Sequence, residues 1–297
     1  MKRAIFLGTV MLVLAVSAQA QQVIKSQALT TDTSWNFPGQ DVSFERNAVI
    51  VTNGYKLEIK CRNLTGNGAE IVSFQNAAAS GTNGSDGAPG GHDGSDGGDA
   101  THGRNGGSVT IQAAKYVGAT NSLRIRLKGE DGGNGGNGGN GTGGTNGGQG
   151  DGPDVSDCWF GNCRRAGGNG GDGTDGGNGG YGGRGGDGGD AGDVVLTIGT
   201  GADQIGIELH GGAAGAGGKE GAGGAAGRGG EGGNGHLCCG GGRRGADGRV
   251  GRPGRPGRNG RNGRGGTVRA INSRGQEIQL QQAFPIKAKA AIQLQQQ

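Results

Sequence analysis

The sequence predicts a helix-poor fold: a base of short β-strands coiled like a solenoid, with polyglycine II hairpins projecting from it as a bundle. Three observations predict it. Glycine recurs at every third residue in five runs, 81–106, 129–150, 167–188, 212–233 and 242–266. Short alternating apolar segments enter and leave those runs, and cysteines gather where the longer runs turn back.

The chain opens with Lys2 and Arg3, an apolar stretch from Ala4 to Val16, and Ala18-Gln19-Ala20. This is the shape of a signal peptide cleaved after Ala20, so the mature protein is expected to be secreted or exported, to the periplasm, cell surface or extracellular space. No later apolar stretch is long enough to span a bilayer. With 78 glycines in 297 residues and 30% hydrophobic residues, most of the chain cannot bury side chains, and composition alone suggests disorder. The strict period of three argues for order, because a flexible linker has no reason to keep it.

Residues 21–76 are read as a β-rich base. Val42-Ser43-Phe44, Ala48 to Val51, Tyr55 to Ile59 and Glu70 to Phe74 alternate like strands, separated by Pro38-Gly39, Asn53-Gly54 and Gly66-Asn67-Gly68. A solenoid is expected over a small sandwich. Glycine-rich hairpins then fill 77–272, interleaved with base strands at 108–127, 193–209 and 267–271, and 273–297 forms a C-terminal tail. Each long hairpin reads as strand, glycine arm out, tip, glycine arm back, strand. The short first hairpin is expected to reverse at Gly90-Gly91.

Period-three glycine suits either a collagen triple helix or polyglycine II helices packed side by side. Triplets such as Gly132-Gly133-Asn134 favour the second, because two glycine faces let two neighbouring backbones approach closely enough to hydrogen-bond. Double-glycine triplets then mark surrounded arms (129–150, 167–188), and single-glycine triplets mark edges (81–106, 242–266). The fourth run, with Ala213, Ala214, Ala222, Ala225 and Ala226, is nearly surrounded. These runs resemble glycine-rich polyglycine II bundle proteins: the tip adhesins of phage long tail fibres and springtail antifreeze proteins. Residues 245–266 also resemble collagen-like repeats. The adhesin resemblance implies that recognition sits in the loops at the bundle end.

Those loops hold the candidate binding residues: Trp159, Phe160, Arg164 and Arg165 in one, His236, Leu237, Arg243 and Arg244 in the other. Cys158, Cys163, Cys238 and Cys239 are disulfide candidates, within one loop or across the two, and Cys61 is the odd thiol. Formal charge is +4, or +2 without Lys2 and Arg3, yet residues 242–266 hold eight arginines and one acid. Six of these, Arg249, Arg252, Arg255, Arg258, Arg261 and Arg264, form a basic ladder on a three-fold helix. It could meet anionic polysaccharide, lipopolysaccharide or, less readily, nucleic acid, or pair with aspartate ladders of the same repeat (Asp93, Asp96, Asp99; Asp172, Asp175, Asp187, Asp190) on a neighbouring arm.

No catalytic constellation, phosphate loop, cofactor motif or zinc-type cysteine pair is legible, so no enzyme activity, cofactor or metal is expected. The expected function is an exported, non-enzymatic, adhesin-like surface protein whose disulfide-braced tip recognises a cell-surface glycan or protein. The alternatives are a collagen-like or glycine-rich fibre, envelope or matrix component and an ice-binding protein. A monomeric bundle is expected rather than a collagen-like trimer.

Overall fold

The computed structural model describes residues 21–156, 163–272 and 274–277. The expected leader, and most of the expected tail, lie outside them. No α-helix occurs among the described residues; one 3-10 turn spans Ala202–Gln204. The strands are β1 (Gln22–Ile24), β2 (Gln27–Ala28), β3 (Thr33–Phe44), β4 (Val49–Val51), β5 (Lys56–Thr65), β6 (Ala69–Val72), β7 (Ser108–Val117), β8 (Leu123–Arg126), β9 (Asp193–Thr200), β10 (Gly206–Glu208) and β11 (Val268–Ile271). All paired strands are parallel, in sheets ordered β1-β3-β5-β7-β9-β11 and β10-β8-β6-β4-β2. Successive turns of chain thus add one strand to each sheet.

Parallel stacking in register brings like residues together from turn to turn. Ile59, Ile111, Leu196 and Ala270 form one ladder. Ile50, Ile71, Ile125 and Ile207 form another in the facing sheet. Most of these side chains are buried, with Phe44, Leu57, Leu64, Tyr116 and Leu123, between the sheets. Burying each of the fully covered Ile, Leu and Phe side chains stabilises by about 1.5–3 kcal/mol. The turns from one sheet to the other carry left-handed asparagines, Asn47, Asn67 and Asn121 (φ 56°, 54° and 59°), a residue type that tolerates this conformation. One expectation is corrected: Pro38-Gly39 does not separate strands. It lies inside β3, where the register to β5 shifts between Phe37 and Asp41, and a bulge accommodates a residue without an N–H.

The glycine runs enter at one recurrent position. The connection from β4 back to β5 is a tight turn, residues 52–55. The equivalent connections from β6, β8 and β10 are 73–107, 127–192 and 209–267. Three hairpins therefore leave the same side of the sheets, as six extended arms: arm 1 (78–88), arm 2 (92–106), arm 3 (129–150), arm 4 (167–192), arm 5 (210–233) and arm 6 (242–266). Gly90 and Gly91 reverse the first hairpin with φ of 102° and 91°.

Backbone hydrogen bonds at every third residue hold the arms together. Outgoing arms 1, 3 and 5 bond to each other in parallel, as in Gly84 N–H to Asn137 O and Gly138 N–H to Lys219 O. Returning arms 2, 4 and 6 do the same, as in Gly97 to Tyr181 and Gly179 to Arg252. Antiparallel bonds join the two layers, as in Gly180 to Gly139 and Gly254 to Gly221. Arms 3 and 4 each bond to four other arms, arms 2 and 5 to three, and arms 1 and 6 to two. The double-glycine triplets lie chiefly in arms 3 and 4, because any Cβ would collide. At Gly138 it would fall 2.2 Å from Gly180 O, and at Gly139 2.0 Å from Ser85 O.

Where the bundle joins the sheets, Glu130 is 8% exposed. Arg104 donates to it twice, at 2.9 and 3.2 Å, and its backbone N–H a third time at 3.0 Å. The same guanidinium stacks 4.7 Å over Phe74.

Candidate recognition surface

Residues 151–156 leave arm 3 and residues 163–166 enter arm 4, and a loop at 234–241 joins arms 5 and 6. A disulfide between Cys163 and Cys239 fastens the two loops together, with a Cα–Cα distance of 5.0 Å across 76 residues of sequence. The bridge crosses the tips; Cys239 is therefore not paired within its own loop. Cys238 is disulfide-bonded as well, and Cys61, half-buried in the base, is free. Burial first, and Asp41 second, push its thiol up to about 11, which keeps it protonated and inert at neutral pH.

Local hydrogen bonds shape each loop. Asp154 donates its N–H to Arg165 O at 2.9 Å, and its carboxylate, held low chiefly by the Ser156 hydroxyl, lies 3.9 Å from Arg164. His236 and Cys239 exchange backbone bonds of 2.7 and 2.9 Å, which turns the intervening Leu237 fully into solvent (103% exposed). Arg164, Arg165, His236 and Leu237 are thus gathered around one disulfide. Cys158, Trp159 and Phe160 lie outside the described residues. Arg243 and Arg244 sit at the start of arm 6, where Arg244 pairs with Asp247 at 2.7 Å and Glu231 at 3.3 Å.

The ladder residues of arm 6, Arg249 to Arg264, are all exposed along one row. The aspartates of arm 4 do face this arm, but they do not take its guanidinium groups. Asp175, Asp187 and Asp190 accept the backbone N–H of Arg249, Arg261 and Arg264 at 2.6–2.7 Å. Asp93, Asp96 and Asp99 of arm 2 do the same for Asn178, Tyr181 and Arg184 of arm 4. Asn134, Asn137 and Asn140 of arm 3 serve arm 5 in the same way. Each of these side chains thus satisfies an amide that no backbone carbonyl reaches. The sequence signal for this role is the recurrence of Asp and Asn at the third position of the triplet, a pattern that charge ladders meant for ion pairs would share.

No protein-family model and no curated protein matches the chain. Among solved structures it is similar to the nine polyproline type II helical bundle springtail antifreeze protein from Granisotoma rainieri, at 26% identity over 62% of this chain and 97% of that one. The TM-score is 0.10. No helix of the described residues is long and apolar enough to cross a membrane.

Proposed function

We propose that this is an exported, non-enzymatic recognition protein. A parallel β-solenoid carries a polyglycine II bundle, and the fastened tip of that bundle binds a cell-surface glycan or protein in the manner of an adhesin. The observation that carries the reading is the Cys163–Cys239 disulfide. It joins the ends of two different hairpins and spends a covalent bond on fixing two loops to one another. A fixed loop pair loses less conformational entropy on binding. Leu237, fully exposed beside that bridge, offers an apolar anchor of the kind binding surfaces use, with arginines around it.

The period-three bonding of six arms, with two glycines per triplet where four neighbours approach, supports polyglycine II packing over a collagen trimer, since the bonds close within one chain. The test is binding of the full chain to cells and to a glycan array. Replacing Trp159, Phe160, Arg164 and Arg165 together, or Leu237→Asp alone, is expected to weaken binding at least tenfold. Unchanged binding by both variants, or none by the parent, rejects the tip as the site.

A further inference from the structure

Arm 6 lines up six like charges in one row and leaves all six without a counter-ion among the described residues. The six backbone N–H groups are positioned by the lattice, four of them tied to the side chains of Asp175, Asn178, Asp187 and Asp190. The six guanidinium groups have no ion-pair partner among the described residues, whereas Arg244 a few residues earlier has two. Three residues of three-fold extended chain rise about 9 Å, so the charges stand in a straight row at that interval. Opposite the middle of the row, on arm 4, lie Asn178, Tyr181 and Arg184, none of them acidic. The acids of arm 4 lie toward the ends of the row, at Asp175, Asp187 and Asp190, and on arm 5 Glu220 lies level with Gly254 to Gly257 beside Lys219; with Arg184 opposite Arg258, the charge around Arg252, Arg255 and Arg258 stays positive.

Arm 6 is also a built edge. Its remaining outward position, glycine in the interior arms, is filled by Val250, Pro253, Pro256, Asn259 and Asn262. The two prolines have no N–H to offer a further arm, so this flank does not invite another chain by backbone pairing.

We infer that the row is a binding rail for a linear anionic polysaccharide, with its centre at Arg252, Arg255 and Arg258. An extended glycan bearing one carboxylate or sulfate every second sugar presents acids along a straight line at a comparable interval. Nucleic acid fits less well. Duplex phosphates rise about 3.4 Å per nucleotide on each strand and wind away from a straight row, and single strands are held by successive stacking aromatics, of which residues 242–266 contain none.

Hyaluronan oligosaccharides, heparin oligosaccharides and charge-matched oligo-dT would each be titrated against the full chain at several salt concentrations. Binding to one or both polysaccharides is expected, weakening with salt; hyaluronan binding shows that carboxylates suffice, and binding of heparin alone shows that sulfate or higher charge density is needed. The R252Q/R255Q/R258Q variant is expected to bind at least tenfold more weakly and with a shallower salt dependence, while R124Q/R126Q in the base changes neither. Should the triple variant fail to fold, R255Q alone carries the test, with weaker and less salt-sensitive binding than the parent. Absence of salt-sensitive polysaccharide binding, unchanged binding by the folded ladder variants, or tighter binding of oligo-dT overturns the inference. Substitutions at Arg164, Arg165 and Leu237 leave this binding intact, which separates the rail from the tip.

Discussion

Gly138 and Gly148 are written into the same kind of Gly-Gly-x or x-Gly-Gly context, yet their surroundings differ completely. A Cβ on Gly138 would meet Gly180 O at 2.2 Å and push two backbones apart; on Gly148 it would meet nothing within 4 Å. Gly138→Ala is therefore expected to cost well over 2 kcal/mol, in the range of overpacking or worse. Gly148→Ala should be neutral or stabilise by about 0.4–1 kcal/mol by restricting the unfolded chain. Thermal melts of the two variants measure the contrast. Glu130 gives a second test. Arg104 bonds first, backbone second, hold its carboxyl below the usual value of 4.5. The folded-state pKa is thus depressed, so its contribution is complete above about pH 4.5 and is lost as pH falls through the lower folded value. Glu130→Gln is expected to cost about 1.5–3 kcal/mol at pH 7, and the gap between parent and variant should narrow in denaturant melts taken from pH 5 to pH 3.

At the scale of the element, a single arm has no core and no internal hydrogen bonds. Ordering each residue costs about 1–2 kcal/mol, and its bonds to neighbouring arms, net about 0.5–1.5 kcal/mol each, exist only when those arms are in place. Stability must then depend on which ends are held. The sheets fix one end of every hairpin, and the Cys163–Cys239 bridge fixes the far end of the two long ones to each other. Cys163→Ser with Cys239→Ser is expected to lower stability by about 2–4 kcal/mol. Hydrogen exchange should locate the loss in the distal halves of arms 3 to 6, beyond the short hairpin, while the β-sheets keep their protection. Uniform loss over arms and sheets would show one cooperative unit instead.

For the whole molecule, the decisive feature is that all six arms bond within one chain and that arm 6 closes the array with prolines. Sedimentation is expected to give a monomer, and the melting temperature should not change over a hundredfold range of protein concentration. A collagen-like trimer would melt higher as concentration rises. The bundle also depends on the base. The coil of sheets sets the spacing at which successive hairpins emerge, so three insertions at one recurrent turn become three neighbours in a lattice.

The sequence by itself determined the repeat, the places where it stops, and which arms have room for neighbours, because a glycine at every third position leaves a face that only another backbone can fill. It also marked Gly90-Gly91 as a reversal and gathered the cysteines at the loops. What it could not carry was partner and level. The alternatives for Cys163 were all compatible with spacing; that it meets Cys239 follows from two hairpins lying side by side. Asp187 and Asp190 looked like counter-ions for Arg261 and Arg264, and became amide acceptors only once arm 6 lay parallel to arm 4 with its backbone nearer than its guanidinium groups. Gly148 escaped packing because the short hairpin ends before reaching it. Each of these depends on which arms lie side by side and in which register, and that is set by contacts between residues tens of positions apart, which a local repeat does not encode.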